Sequence, residues 1–232
     1  LEFRRVLFRS SSAHGTGRPS YLHRSKRPYD ITEWELIEKT NYSYTQPWYL
    51  PESRRFLFLH TLYVKGERTL NWKTSADGRT WTLATSNAGW APRAYHQAVV
   101  HKGRMWVFGG GNYVPKYHGV NDVWCSEDGE KWTQLTEHAG WSPRLWFSSV
   151  VYRDQIWVLG GWSNNPSKNW GDVWHSKDGR DWKPLKSDTT WKERHEHSAY
   201  VFQDKLWIAG GHAQPLSSEV WSLELPKDFG KD

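Results

Sequence analysis

A block of about 50 residues recurs along this 232-residue chain and constrains its fold more than any other feature. The segment that begins WAPR at Trp90 returns as WSPR at Trp141 and as WKER at Trp191, with spacings of 51 and 50 residues. Each copy runs through a hydrophobic stretch into a glycine pair, and then into Asp-Val-Trp or Glu-Val-Trp. Such a repeat is one supersecondary unit, which buries its apolar surface only by stacking on its neighbours.

Each copy predicts four short antiparallel strands, A to D, because runs rich in valine, tryptophan and phenylalanine alternate with turn residues. In the copy after Trp90 the predicted strands cover residues 93–100, 105–109, 122–126 and 131–136. An Asp-Gly pair separates C from D at positions 77–78, 128–129 and 178–179, which favours tight hairpins. Four-stranded units that stack around an axis form a β-propeller, so the sequence predicts an all-β fold built of propeller blades.

The predicted blades are not all complete. Clear blades cover residues 91–136, 142–186 and 192–225, a degenerate blade covers 45–85, and a tail follows at 226–232. In the degenerate blade His60-Thr61 replaces the glycine pair. A stray strand at 30–38 resembles strand D, whereas the last blade reaches Leu225-Pro226 without one. Either the stray strand completes the last blade and closes the ring, or the chain, which lacks an initiator methionine, is a fragment of a larger propeller.

The net charge of +6 is confined to the first 29 residues, which contain seven arginines and lysines and one glutamate. From Asp30 onward, 24 basic residues balance 24 acidic ones. We predict a disordered basic leader over residues 1–29 and leave open whether it is native. The charge therefore does not favour a nucleic-acid partner, and no apolar run reaches the roughly 20 residues that membrane insertion requires. A single cysteine, Cys125, excludes an intrachain disulfide framework and multi-cysteine metal sites.

The Pro-Arg or Glu-Arg pair, the strand ending in Gly-Gly, the Asp-Val-Trp and the closing tryptophan together resemble the kelch repeat over residues 45–225. The resemblance implies a kelch-type β-propeller, similar to the central domain of galactose oxidase and to kelch-like bacterial proteins. It favours a secreted or periplasmic location. Kelch propellers usually have more blades than the four visible here, which favours the fragment interpretation. The copper ligands of galactose oxidase match no positions in this chain, so we predict no metal and no cofactor.

One edge of each blade carries longer connections than the other. In an antiparallel blade the B–C and D–A connections share an edge, which we name the long-loop rim. The B–C segments cover residues 111–121, 162–171 and 212–218. Their rings, amides and imidazoles suit a sugar-like or peptide ligand, although the rings also suit simple packing of the loops. The side chains in question are Asn112, Tyr113, Tyr117, His118, Trp162, Asn164, Asn165, Trp170 and His212.

Strand A of each clear blade opens with an arginine at the same rim. The arginines are Arg93, Arg144 and Arg194, and three residues later come His96, Phe147 and His197. Converging guanidinium groups hold carboxylate or phosphate bidentately, and the alternative is a repeated structural latch onto backbone carbonyls of the neighbouring blade. His195 and His197, two apart on one strand face, would form a three-imidazole metal set with His212. No carboxylate accompanies them, so a metal is not predicted.

The sequence thus predicts a non-catalytic module that binds a carbohydrate or a protein through the long-loop rim. The alternative is a sugar-processing enzyme similar to kelch-type sialic acid mutarotases, in which the arginines hold a carboxylate and His197 or His212 moves a proton. The oligomeric state is left open.

At least nine of the 18 tryptophans recur at matching strand positions, and we predict that they fill the wedges between blades. They are Trp106, Trp157 and Trp207 in strand B, Trp124, Trp174 and Trp221 in strand C, and Trp81, Trp132 and Trp182 in strand D.

Overall fold

Every secondary-structure element in the part of the chain that the computed structural model describes is a β-strand, which confirms the all-β prediction. The described residues are 8–11, 19–27, 30–40, 43–50, 54–64, 67–114, 116–187 and 190–230. They contain no helix of the length and apolarity needed to cross a bilayer. The chain divides into two compact units, one comprising residues 1–94 with 128–131, the other residues 95–127 with 132–232.

The first unit contains two antiparallel sheets. A three-stranded sheet has the order β1-β2-β3, with strands at Phe8–Ser11, Ser20–Ser25 and Trp34–Thr40. A four-stranded sheet has the order β4-β5-β6-β7, with strands at Ser43–Leu50, Arg55–Val64, Glu67–Ser75 and Thr82–Leu83. Leu22 and Phe58, both fully buried, pack together with Ile37 and Trp81 around them. The degenerate repeat therefore forms a complete four-stranded sheet.

The structure corrects the prediction of disorder for part of the basic leader. Strand β1 pairs with β2 from Phe8↔Arg24 to Ser11↔Tyr21, and β2 pairs with β3. Burial of Leu22 supplies the apolar contact that the basic composition concealed. Residues 1–7, 12–18 and 28–29 of the predicted leader lie outside the described residues. The stray strand starts at Trp34 and is bonded to β2, so the ring-closing pairing predicted for it is not observed among the described strands.

The second unit contains three larger sheets and a two-stranded ribbon. The first sheet has the order β13-β12-β9-β8, with β8 at Gln97–His101, β9 at Arg104–Phe108, β12 at Val123–Ser126 and β13 at Thr133–Thr136. The ribbon joins β10, Gly111–Asn112, to β11, His118–Gly119. The next sheet runs β14-β15-β16-β17 at Ser148–Tyr152, Gln155–Asn164, Ser167–Ser176 and Lys183–Pro184. The last sheet has β18 at Ser198–Phe202, β19 at Lys205–Ala209 and β20 at Val220–Leu223.

Two strand predictions need correction in this unit. Strand A was expected to begin at Arg93, but β8 begins at Gln97 because Tyr95 adopts a φ of 59°, which interrupts the extended backbone. The segment 162–171 was expected to be a loop, but it is largely a hairpin, since β15 and β16 stay paired out to Asn164↔Ser167. The rim is therefore built from strand extensions as well as loops.

Successive sheets of the second unit pack face to face. One core cluster joins Trp106 and Phe108 of β9 to Ile156 and Val158 of β15, and a second joins Trp157 of β15 to the last sheet. The indole Nε1 of each strand-B tryptophan donates to the carbonyl five residues earlier, across the A–B hairpin: Trp106 to His101, Trp157 to Tyr152 and Trp207 to Phe202. The buried Trp106 and Trp157 behave as predicted for wedge residues.

The last sheet has three described strands, and the chain beyond β20 folds back instead of forming a fourth. Phe229 packs on Trp157 and His175, with ring centroids 5.8 and 5.2 Å apart. Phe229 follows Trp221 by eight residues, the spacing that separates Trp174 from the strand-D residue Trp182. The tail therefore carries a ring at the strand-D position, which the sequence analysis missed because this ring is phenylalanine.

Candidate functional site

Arg144 forms a closed set of contacts inside its own blade. Its side chain is fully buried, and its Nη atoms donate to both carboxylate oxygens of Asp172 at 2.5 and 2.9 Å. It also donates to the carbonyl oxygens of Gly160 and Ser142, 2.8 and 3.0 Å away. Burial alone would raise the pKa of Asp172, but the bonds and charge of Arg144, helped by Trp174 Nε1, hold that pKa below its ordinary value. The guanidinium therefore joins the start of the blade to its B and C strands.

The same arrangement recurs in the last blade. Arg194 is fully buried, donates to Glu219 Oε2 at 2.6 Å and bonds the carbonyl oxygen of Gly210 at 2.9 Å. Trp221 Nε1 donates to the same Glu219 oxygen at 3.2 Å. Arg93 is also buried, and its Nε donates to the carbonyl oxygen of Ala91. The acidic residue of each Asp-Val-Trp or Glu-Val-Trp motif is thus a bridge between arginine and tryptophan in these two blades. The carbonyls that Arg144 and Arg194 bond belong to their own blade and not to a neighbouring one.

The glycine pair allows two close approaches, by the next blade at Gly160 and by the start of its own blade at Gly161. Gly160 has a φ of 56°, and a Cβ placed there would lie 2.6 Å from the carbonyl oxygen of Arg194. Gly161 has a φ of 110°, and its Cβ would lie 2.8 Å from Phe147 Cβ. Both the conformation and the space therefore require glycine at this position. In the degenerate repeat, His60 and Thr61 stand inside the continuous strand β5 instead.

His197 is a buried neutral imidazole. Neither ring nitrogen has a hydrogen-bond partner, and burial, reinforced by the charge of Arg194, lowers its pKa to about 4. The equivalent position holds Phe147 in the preceding blade, where it is part of the core. His96 is buried as well. His197 and His96 thus lie buried just before strands β18 and β8 rather than on the rim surface.

A connected group of rings covers the long-loop rim of the second unit. We name it the aromatic rim cluster, and it consists of Tyr113, Tyr117, Trp146, Trp162, His195 and His212. Trp162 contacts three rings, with centroid distances of 5.8 Å to Tyr113, 5.7 Å to Tyr117 and 5.5 Å to Trp146. Trp146 also contacts Tyr113 at 5.4 Å and His195 at 5.5 Å. His195 in turn contacts His212 at 5.0 Å. Most pairs are tilted or edge-on, which is the favoured geometry for aromatic contacts.

Backbone bridges position this cluster. Leu145 and Trp162 exchange two backbone hydrogen bonds of 2.8 Å, and His195 and His212 exchange bonds of 3.3 and 2.8 Å. The residue after each arginine is thereby fixed to the extension beyond the glycine pair. Consecutive blades are also joined, because the backbone N–H of Glu196 donates to the Trp146 carbonyl oxygen at 2.9 Å.

One residue per blade has a left-handed backbone at the same repeat position. Tyr95, Trp146 and Glu196 have φ values of 59°, 54° and 56°. Non-glycine residues seldom adopt this conformation, and it is found preferentially at sites where surrounding structure fixes it. Trp146 and Glu196 extend toward the rim, while Tyr95 is buried and contacts Trp146 at 4.8 Å. This position is the second of two variable residues between the arginine and the following histidine or phenylalanine, and periodicity alone did not single it out.

The remaining candidates separate into rim and supporting residues. Trp170 lies under two cations, with Arg144 4.8 Å and Lys168 4.2 Å from its ring centroid, and its Nε1 donates to Ser163 Oγ. Trp170 therefore supports the arginine contact. Asn112 lies at the end of the β10–β11 ribbon and is half-buried. His118, Asn164 and Asn165 are exposed.

The histidines do not assemble a metal site. His195 and His197 do not share a strand face as predicted, because the left-handed Glu196 separates them before β18 begins. Over the described ranges, no group of three or more histidine, cysteine, aspartate or glutamate side chains is arranged to hold an ion. Cys125 is buried in the core, and burial raises the pKa of its thiol.

A cavity of about 650 Å³ opens at the opposite edge, among the A–B and C–D turns and the tail. His175 and Phe229 line it, and His175 Nδ1 contacts Gln155 Oε1 at 2.6 Å. Asp178, also in its wall, accepts hydrogen bonds from the backbone N–H groups of Arg180 and Asp181 and so caps the C–D turn. These polar groups are occupied in supporting the turn.

Comparison with known proteins agrees with this architecture. The model of the KLHDC2/KLHL20/DRC7 Kelch-repeats domain matches residues 60–228, more than half of the chain. A Ras guanine nucleotide exchange factor F of Dictyostelium discoideum is 32% identical over 95 residues, which cover 38% of this chain and only 8% of that protein. The repeated arginine, glycine pair and Asp-Val-Trp segments, their sheets and the family match lead to one conclusion: the chain belongs to the kelch-repeat family and has the kelch type of β-propeller fold.

Proposed function

We propose that this protein binds a peptide segment of a protein partner through the aromatic rim cluster. Kelch domains generally mediate protein interactions, and the cluster gives that role a specific surface on this chain. The observation that carries the proposal is the unbroken run of rings from Tyr117 through Trp162 and Trp146 to His212.

The properties of the cluster suit protein binding. Tyrosine and tryptophan bury large areas at low conformational cost and dominate the binding energy of protein interfaces. Tyr113 is 45% exposed and contacts both tryptophans, so part of the surface is available to a ligand. The backbone bridges at Leu145 and His195 hold the surface in place before binding, which lowers the entropic cost of association.

We assign the arginines a structural role in this proposal. A ligand carboxylate at Arg144 would have to displace Asp172 from two hydrogen bonds, and one at Arg194 would have to displace Glu219. The mutarotase-like alternative uses these guanidinium groups as its carboxylate site, so the geometry favours binding at the rings. Among the sequence candidates, Tyr113, Tyr117, Trp162 and His212 belong to the proposed site.

Selection from a displayed random-peptide library tests the proposal. The 232-residue chain is used as bait, and the selected peptides are measured against Trp162→Ala and Tyr113→Ala. We expect each substitution to weaken binding by about tenfold, as for a ring near the centre of an interface. The matched control is Tyr200→Ala, because Tyr200 is 43% exposed but lies in strand β18, away from the cluster.

Equal binding to all three variants would contradict the proposal, as would failure to select any peptide. A glycan array on the same variants provides the complementary measurement. Glycan binding that requires Trp162, with no selected peptide, would favour the carbohydrate-binding alternative.

A further inference from the structure

Glu196 is a charged group without a charged partner at the edge of the aromatic rim cluster. Its side chain is 58% exposed, and its only close ionisable contact among the described residues is His195, whose Nε2 lies 3.9 Å from Oε2. Burial and the nearby His212 lower the pKa of His195 to about 4, so this imidazole is neutral at pH 7. The lysines of the adjoining segments are engaged elsewhere, since Lys192 Nζ donates to the Gln214 carbonyl oxygen and Lys168 lies over Trp170.

His195 presents a second acceptor beside this carboxylate. Asn169 Nδ2 donates to the His212 carbonyl oxygen at 3.0 Å, which leaves Asn169 Oδ1 as the acceptor 2.7 Å from His195 Nδ1. His195 therefore carries its proton on Nδ1, and its Nε2 is an acceptor. A hydrogen-bond donor of a ligand would therefore find three acceptors here, the two carboxylate oxygens of Glu196 and Nε2 of His195.

The indole ring of Trp146 is next to these acceptors. Its centroid lies 5.5 Å from that of His195, and its other ring contacts are with Tyr95, Tyr113 and Trp162. The face of an indole attracts an ammonium or guanidinium group, and an alkyl stem packs well on the same surface. Trp146 and Glu196 also occupy the matching left-handed positions of consecutive blades, linked by the hydrogen bond from the Glu196 N–H to the Trp146 carbonyl oxygen.

We propose that the partner peptide supplies a lysine or arginine side chain, which lies along Trp146 and places its cation against Glu196 and the Nε2 acceptor of His195. This inference rests on the proposed function, because it names the residue class that the aromatic rim cluster selects.

A small-molecule titration isolates this contact. The 232-residue chain, isotope-labelled at tryptophan, is titrated with N-acetyl-lysine N-methylamide, and the indole N–H resonances are followed by nuclear magnetic resonance. Trp146→Phe and Trp162→Phe variants assign the two rim signals. The neutral comparison compound is N-acetyl-norleucine N-methylamide, which keeps the alkyl stem and lacks the ammonium group.

We expect a saturable shift of the Trp146 signal with the lysine compound and clearly weaker binding of the norleucine compound. Glu196→Gln should weaken binding of the lysine compound by about threefold, as for an exposed ion pair. The control is Glu193→Gln, which removes an exposed carboxylate three residues away. Equal binding of the two compounds, no saturable shift with the lysine compound, or unchanged affinity in Glu196→Gln overturns the inference.

The peptide selection separates this inference from the proposed function. Peptides that depend on Trp162 but contain no lysine or arginine would leave the proposed function standing and overturn the basic-residue inference. If no peptide is selected, both fail. Basic peptides that lose affinity for Glu196→Gln would support both.

Discussion

At the residue scale, the last two blades each contain a buried arginine that is paired with an acidic residue of the same blade. The arginine at the start of strand A was visible in the sequence, and so was the acidic residue before Val-Trp. Their pairing was not, because the two lie 28 positions apart and only the folded B–C hairpin brings Arg144 onto Asp172. The repeat pattern therefore singled out the arginines, while their internal contacts followed only from the geometry.

Removing the counter-charge of Arg144 should be costly. In Asp172→Asn the fully buried guanidinium keeps its charge but loses its ionic partner, and we expect the free energy of unfolding to fall by about 3–5 kcal/mol. Chemical denaturation at pH 7 measures this change. The control is Asp154→Asn, because the Asp154 side chain is 72% exposed, with Lys102 Nζ at 3.1 Å and His101 Nε2 at 3.9 Å, and its loss should cost less than about 1 kcal/mol. Equal costs for the two variants would contradict the structural role of Arg144.

The buried imidazole of His197 should make stability depend on pH. Its pKa is lowered to about 4 in the folded chain, while the unfolded chain retains an ordinary value near 6.5. Folding therefore favours the neutral imidazole. Above pH 6.5 the ring is neutral in both states, so its burial costs no protonation energy. As the pH falls from about 6.5 towards 4, the unfolded chain binds the proton more readily than the folded chain, and the free energy of unfolding decreases. At pH 5 the loss reaches about 2 kcal/mol for this one group.

Replacing His197 by the phenylalanine of the preceding blade tests whether His197 causes this pH dependence. His197→Phe places at this position the ring that Phe147 already provides in the same register. We expect the fall in unfolding free energy between pH 7 and pH 5 to be smaller in this variant than in the unaltered chain. His118→Phe is the control, since it makes the same substitution at an exposed histidine. An undiminished pH dependence in His197→Phe would assign the effect to other groups.

At the scale of elements, the tryptophans of strand B illustrate what repetition predicts and what it does not. Their register predicted a shared environment, and Trp106 and Trp157 are indeed buried between sheets. Trp207 occupies the same register and keeps the same indole hydrogen bond, yet it is only half-buried. Strand position is encoded in each repeat, whereas burial depends on whether another sheet covers that face.

This difference predicts unequal costs for the same substitution. Trp157→Ala removes a fully buried ring in contact with Phe229 and His175, and we expect a loss of about 3–5 kcal/mol in unfolding free energy. Trp207→Ala serves as the matched control and should cost clearly less, because its ring already faces solvent in part. Thermal denaturation of both variants gives the comparison. Similar losses would show that the hairpin bond, and not the wedge, carries the stabilisation.

The rim shows why site geometry was harder to predict than strand content. The long B–C segments were correctly identified as rich in rings, but their hairpin pairing was missed because Trp162 and Trp170 gave no turn signal of their own. Trp146 was missed because it precedes strand β14, where the sequence predicted an uninterrupted extended strand. A left-handed φ at a tryptophan has no local sequence marker, so only the folded backbone reveals it.

At the scale of the whole molecule, the sequence predicted the repeat number of the clear blades and the all-β class well. It misjudged the amino-terminal stretch, because basic composition obscured the short apolar contact of Leu22 with Phe58. The uneven distribution of charge has a physical consequence of its own. All of the net charge of +6 resides within residues 1–29, while the remaining chain is neutral.

Polyanion binding by this protein should therefore depend on the first 29 residues. Replacing Arg4, Arg5, Arg9 and Arg18 by glutamine leaves Leu22 in place and should lower the salt concentration at which the chain elutes from immobilised heparin. The control replaces four lysines of the neutral part, Lys116, Lys131, Lys186 and Lys227, and so changes the net charge equally. A larger effect of the control would place the polyanion-binding surface outside the leader.

The left-handed position between the arginine and strand A has a consequence for how such a protein can change its ligand. Tyrosine, tryptophan and glutamate all stand there with φ values within a few degrees of each other, so the scaffold tolerates unrelated side chains at one backbone geometry. The exposed side chain of Glu196 is thereby separated from the contacts that maintain the fold, whereas the Trp146 ring packs against the buried Tyr95. Position 196 is therefore a natural target for diversification, and randomising it would generate new specificities on an unaltered framework.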